Sequence, residues 1–192
     1  MLIRSRETRQ GILTRWFRSR GGLWFPDLDL FVPKHNNVLA VLGRPEGKYL
    51  IPAANIVTDA GDLHYAQRAV TEALTNDFDT HLVATATTGL GKATDLSDFT
   101  EVAASEKTTD VGYPVRNDTD GDNTGAGVDI VTHLVSYTTG DFNATAISHG
   151  LITNATPGTA EPILTGYAFA APFDKTASDT LKVFVNHEMS GQ

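Results

Sequence analysis

The chain has 192 residues, no cysteine, 41% hydrophobic side chains and a formal net charge of −8. That length and composition fit one folded domain, alone or with an arm, and exclude an intrinsically disordered chain. The lack of cysteine removes disulfides, thiol catalysis and cysteine-ligated zinc together, and no run of 18 apolar residues offers a membrane span.

The charge is unevenly spread. Arg4, Arg6, Arg9, Arg15, Arg18 and Arg20 face one acid, Glu7, so the first twenty residues carry +5; the remaining nine basic and 22 acidic side chains leave −13 on residues 21–192. A basic arm therefore precedes an acidic body, which stays soluble and repels nucleic acid. No apolar h-region follows the arginines, so the segment does not read as a secretory signal. Within residues 7–20, Ile12, Leu13, Trp16 and Phe17 recur at helical spacing, which predicts a short helix stopped by Gly21 and Gly22. Its apolar face, flanked by arginines, suits a partner protein, an anionic membrane surface or the chain's own body. Arginines beside Trp16 and Phe17 are also the material for phosphate contact and base stacking, a use the acidic body opposes.

Residues 23–36 contain Pro26 and Pro33, each of which biases its predecessor toward extended backbone. They read as an extended connector anchored by Trp24, Phe25, Leu28, Leu30 and Phe31. The domain boundary falls here, with an arm and connector over 1–36 and a body over 37–192. Strands are predicted over Asn37–Gly43 and Lys48–Val57, joined by the turn at Arg44-Pro45-Glu46-Gly47. Asp59-Ala60-Gly61-Asp62 reads as a further turn. Leu63–Leu74 mixes alternation with helix formers and is taken as a strand. His81–Thr87 follows as a strand.

Residues 88–127 form a long turn-rich connection, of the kind that carries functional surface or contacts. Four long strands come after it, at Val128–Thr138, Asn143–Ala155, Glu161–Phe173 and Asp179–Met189. The turns between them are Thr139-Gly140-Asp141, Thr156-Pro157-Gly158 and Asp174-Lys175. In the last strand Leu181, Val183 and Val185 alternate with Lys182, Phe184 and Asn186, as in a half-buried strand. About eight strands with hairpin-length turns predict an all-β fold, an antiparallel jelly-roll-like β-sandwich behind an extended basic arm.

The motifs for chemistry are few. Asp118, Asp120 and Asp122 stand at positions 1, 3 and 5 of a calcium loop, with Asp129 at position 12. Position 6 is Asn123 instead of glycine, and the loop runs into a strand, which favours a solvated Asp-rich turn. The six histidines are His35, His64, His81, His133, His149 and His187, with no HxH or HExxH pair; His133 and His149 are expected on neighbouring strands. No nucleophile elbow, P-loop or dinucleotide fingerprint is present, so the chain reads as a non-enzyme with no cofactor besides that calcium option.

The stretches NDTDGDNTGAG at 117–127, VDIVTHLVSYTTGDFNATAISHG at 128–150 and AFAAPFDKTASDTLKVFVNH at 168–187 resemble small virion proteins of tailed bacteriophages. The closing Pro-Phe-x-Lys-Thr turn followed by Ser-Asp-Thr-Leu-x-Val is similar to the last hairpin of accessory head or tail proteins. The resemblance covers roughly residues 50–190 and implies a capsid decoration, or cement, protein. It implies a homotrimer on the capsid surface, made in the host cytoplasm, that binds the major capsid protein and sister copies. The alternatives are a tail, collar or fibre-adaptor (receptor-binding) protein, and outside viruses a carbohydrate-binding module or enzyme. On the cement reading, the partner-binding residues are Arg4, Arg6, Arg9, Ile12, Leu13, Arg15, Trp16, Phe17, Arg18 and Arg20.

Overall fold

The computed structural model describes residues 3–7, 13–18, 24–27, 37–117, 130–154 and 161–188; for those before 38, and for 117, it describes the backbone. The N-terminal residues form a separate antiparallel sheet of β1 (Ile3–Glu7), β2 (Leu13–Arg18) and β3 (Trp24–Asp27). The helix expected over residues 7–20 is thereby corrected, since Glu7 and Leu13–Arg18 are strand. Leu, Thr, Trp and Phe fit a pleated ladder as well as a helical face, and pairing supplies the bonds that a short isolated helix lacks. Register puts Arg4, Trp16 and Pro26 in one row and Ile3, Phe17 and Phe25 in the next. Trp16 and Phe17 are thus consecutive residues of one strand.

The body is a single antiparallel sheet of ten strands. These are β4 (Asn37–Arg44), β5 (Gly47–Val57), β6 (Phe78–Thr87), β7 (Phe99–Glu101), β8 (Lys107–Thr108), β9 (Val115–Asn117), β10 (Ile130–Tyr137), β11 (Ala144–Asn154), β12 (Ile163–Lys175) and β13 (Thr180–Glu188). Their order is β7-β6-β11-β12-β5-β4-β13-β10-β9, with β8 also on β6. The all-β, antiparallel expectation holds, and the predicted strands at 37–43, 48–57, 81–87 and in the C-terminal third are all present.

The sheet rolls until its two ends meet. Thr109 N–H donates to Asp79 O on β6, and Asp110 N–H donates to Leu134 O on β10, each at 2.8 Å. The Asp110 carboxylate also accepts from Ser136 N–H at 3.0 Å and from its hydroxyl at 2.6 Å. The 88–127 connection is therefore partly structural, since its residues 107–110 staple the roll shut.

Inside lies one main core, with Val38, Ala53, Val83, Val135, Ile147, Leu164, Tyr167, Val183 and Val185 buried together. Leu181, Val183 and Val185 point inward as their alternation requires. The opposite face of the same strands is apolar too. Leu134, Phe184, Leu39 and Pro52 are successive register partners in one row across β10, β13, β4 and β5.

The strand expected over Leu63–Leu74 is corrected, because Asp59–Ala69 is a helix, α1. The residues read as a turn at 59–62 are its first turn. Thr58 caps it by accepting from Gly61 N–H at 3.1 Å, and Asp59 and Asp62 stand where the helix dipole favours acids. The helix lies close on the sheet, since a Cβ on Gly61 would come within 2.3 Å of Leu164 O. The turn expected at Asp174-Lys175 is also displaced. β12 runs on through Lys175, and the chain turns at 176–179, where Asp179 accepts from Thr176 N–H at 2.8 Å.

Candidate functional site

The inward rows of the rolled sheet end in histidines and tyrosines, and these form two sets. The first is centred on His81 of β6, which is fully buried. Tyr137 of β10 donates its hydroxyl proton to Ser105 O at 2.8 Å, so the His81 contact at 2.6 Å is an Nδ1–H donation to the Tyr137 oxygen. His81 Nε2 is then the acceptor for the Tyr167 hydroxyl of β12. Ser105 in turn accepts from Val83 N–H at 3.2 Å. This relay ties β6, β10, β12 and the 102–106 loop together with every member partnered. Burial pushes the His81 pKa down to about 3, with the nearby His133 adding to the shift. Burial likewise raises Tyr137 and Tyr167 well above the ordinary phenol value. The imidazole and both phenols are neutral at pH 7.

The second set lies under α1. His133 of β10 and His187 of β13 are cross-strand diagonal neighbours, His133 opposite Val185 and His187 opposite Val131. Their ring centroids are 5.6 Å apart. Both are buried, at 3% and 0% exposure, yet neither nitrogen of His133 nor Nε2 of His187 has a hydrogen-bond partner. His187 Nδ1 is hydrogen-bonded to Tyr65 of α1. His64, one residue earlier on α1, donates its Nδ1 proton to Asn76 O at 3.2 Å. Burial depresses the His133 pKa to about 4 and holds His187 well below the usual histidine value, and His64 lowers both further.

Two openings reach this set. A groove of about 530 Å³ is lined by His64, Arg68, Asp77, Tyr113 and His133, and one of about 390 Å³ by Asn55, Asp62, Lys92 and His187. Tyr65 lines both. Asn55 Oδ1 is a further buried atom without a partner, although its amide donates to Asn186 O at 3.3 Å. Unpaired buried polar atoms cost roughly 1–3 kcal/mol each and are rare in folded proteins. Their convergence at one end of the roll marks this as the candidate functional site. Neutral imidazoles with free nitrogens can accept a proton, donate one or bind a metal.

The sequence-predicted residues fall elsewhere. Arg4 and Arg6 lie on β1, and Leu13, Arg15, Trp16, Phe17 and Arg18 on β2. Arg9, Ile12 and Arg20 lie outside the described residues, as do Asp118, Asp120, Asp122 and Asp129 of the calcium loop. His133 and His149 do not sit on neighbouring strands. β10 pairs with β13 and β9, whereas β11, which carries His149, pairs with β12 and β6. His149 lies instead near Phe99, its Nδ1 at 2.6 Å from the Ser148 hydroxyl. The His133–His187 pair escapes sequence reading because its members are 54 positions apart and meet only through the β10–β13 ladder. The available signal was their parity, since Val131-His133-Val135-Tyr137 and Val183-Val185-His187 each continue an inward row.

No protein-family model matches this chain, and neither a curated protein nor a solved structure is similar to it at a significant level. Among the described residues, no helix is long and apolar enough to cross a membrane.

Proposed function

We propose that this protein is a structural component of a bacteriophage virion, a capsid decoration protein that clamps neighbouring shell subunits. The rolled antiparallel sheet serves as the jelly-roll-like body, and the basic N-terminal segment docks on the major capsid protein or a sister copy in a homotrimer. The observation that carries the reading is the charge split between the basic first twenty residues and the acidic remainder. A one-domain antiparallel fold usually leaves its outer face polar, yet here Leu39, Val41 and Leu134 on that face are only 3%, 6% and 8% exposed. Four strands thus pack apolar side chains on both faces, and the outer one is already shielded within this chain. The separate N-terminal sheet supports the same use as the charge split. Arginine suits such a contact because its planar fork pairs with carboxylates and stacks on aromatics.

Copy number in purified particles tests this directly, by quantitative mass spectrometry. Hundreds of copies per particle support decoration. Three, six or twelve move the protein to a tail or vertex position, and none overturns the viral reading. Deleting residues 1–36 should abolish particle occupancy while leaving the body folded. Full occupancy of the truncated protein would refute docking through the N-terminal segment.

A further inference from the structure

We infer that His133 and His187 form a binding site for a divalent transition-metal ion of the zinc, nickel and cobalt class, under helix α1. This stands independently of any virion role. Ring geometry is the first observation. An imidazole binding an ion at about 2.1 Å places its ring centroid roughly 3.2 Å from that ion. Two rings sharing one ion at the tetrahedral angle are then roughly 5.3 Å apart by that geometry, and the observed separation of 5.6 Å is within reach of it.

The second observation is the state of the nitrogens. His133 Nδ1 and Nε2 and His187 Nε2 are buried and unpartnered. His187 Nδ1 meets the Tyr65 oxygen. With that nitrogen donating its proton to Tyr65, Nε2 carries the lone pair. A ligating histidine tied through its other nitrogen is the usual outer arrangement of a metal site, since the second bond fixes both tautomer and ring direction. His81 offers the contrast within the same core, because both its nitrogens are engaged.

Among the described residues no three His, Cys, Asp or Glu side chains stand together as a metal cluster. The site therefore has two protein nitrogens, and water entering through the grooves completes the coordination. Asn55, whose buried Oδ1 is also unpartnered, lines the same groove as His187. Nitrogen donors select zinc, nickel, cobalt and copper over magnesium or calcium.

The experiment uses tag-free full-length protein stripped with a chelator. Zinc(II) titration by calorimetry should show one saturable site, and magnesium none. X-ray absorption of the zinc-loaded wild-type protein should count two imidazoles. His133→Phe should weaken zinc binding at least about tenfold, while His149→Ala leaves it unchanged. No saturable zinc binding, or fewer than two imidazoles in the wild-type spectrum, overturns the proposal and makes ordered water the occupant of this space. Zinc binding that survives His133→Phe and is lost in His149→Ala also overturns it. The wild-type imidazole count decides the matter even where the His133 variant fails to fold.

Discussion

His81 and His133 sit in the same rolled sheet, equally hidden from water, and their surroundings differ in one respect. His81 has a hydroxyl on each nitrogen, and His133 has nothing on either. The first is what a buried polar group looks like when it serves the fold. Its bonds reach three strands and a loop, so it fixes how the roll closes. The second is a polar group kept in the core without such repayment, and a fold gains nothing from it unless another species arrives. Buried polar networks stabilise when complete and destabilise when partial, so the two histidines should respond to perturbation in opposite senses.

His81→Ala should cause the largest loss. It removes a buried ring and leaves the Tyr137 and Tyr167 hydroxyls short of partners, for about 4–5 kcal/mol in all. Urea unfolding at pH 7 measures this. A loss below about 1 kcal/mol would show that the relay is not what holds the roll together.

Acid should act through the same residue. The folded pKa of His81 is about 3, whereas an unfolded histidine titrates near 6.5. Below pH 6.5 the unfolded chain binds a proton that the native state refuses. Stability therefore falls as pH drops from about 6.5 and levels off only below about 3. By pH 4 this one group should remove about 3 kcal/mol. Chelator-treated protein unfolded in urea at stepped pH gives the slope. His133 and His187, also held below the usual histidine value, add to that slope. Replacing His81 by Phe should therefore reduce it by one proton's share, and an unchanged slope would assign acid sensitivity elsewhere.

Gly150→Ala should follow, at about 2 kcal/mol. A Cβ there would lie 2.4 Å from the Tyr167 hydroxyl, and Tyr167 is fully buried. Relief means moving the phenol off His81, so the cost should shrink sharply in a Tyr167→Phe background. Additive costs would show that glycine is needed for reasons outside the relay.

Which parts of this could be read from the sequence follows from the range of the forces involved. Apolar runs bounded by turn residues placed β4, β5 and the four C-terminal strands, and in β13 period-2 alternation added the inward face, because one-sided burial of a pleated strand leaves a local mark. α1 escaped, since Leu63, Tyr65 and Gln67 alternate and Asp59-Ala60-Gly61-Asp62, with Gly61 at its centre, has turn composition. The purpose of Gly61 there is tertiary, to let the helix approach Leu164 O. The pairing of His133 with His149 failed for a related reason. Consecutive strands pair roughly two-thirds of the time, but here β10 and β11 lie five places apart in the strand order. His187, the true neighbour, was visible as the end of an inward row. Its partner depended on strand order, which composition does not encode.

The smallest effect discriminates best between the two histidines. His133→Phe replaces two unpaired buried nitrogens with carbon at similar volume, so the metal-free protein should be unchanged or up to about 1 kcal/mol more stable. A residue that stabilises when removed is one the fold alone does not require. With zinc present the order should reverse, because an ion that binds only the native state adds stability as its concentration rises, and the variant has lost one of its two ligands. Thermal unfolding of wild type and variant, each with and without zinc, contains the whole comparison. Equal responses to zinc would return His133 to the core as an ordinary buried ring. A crossover would show that the open nitrogens are held at a cost in the free protein because an ion uses them.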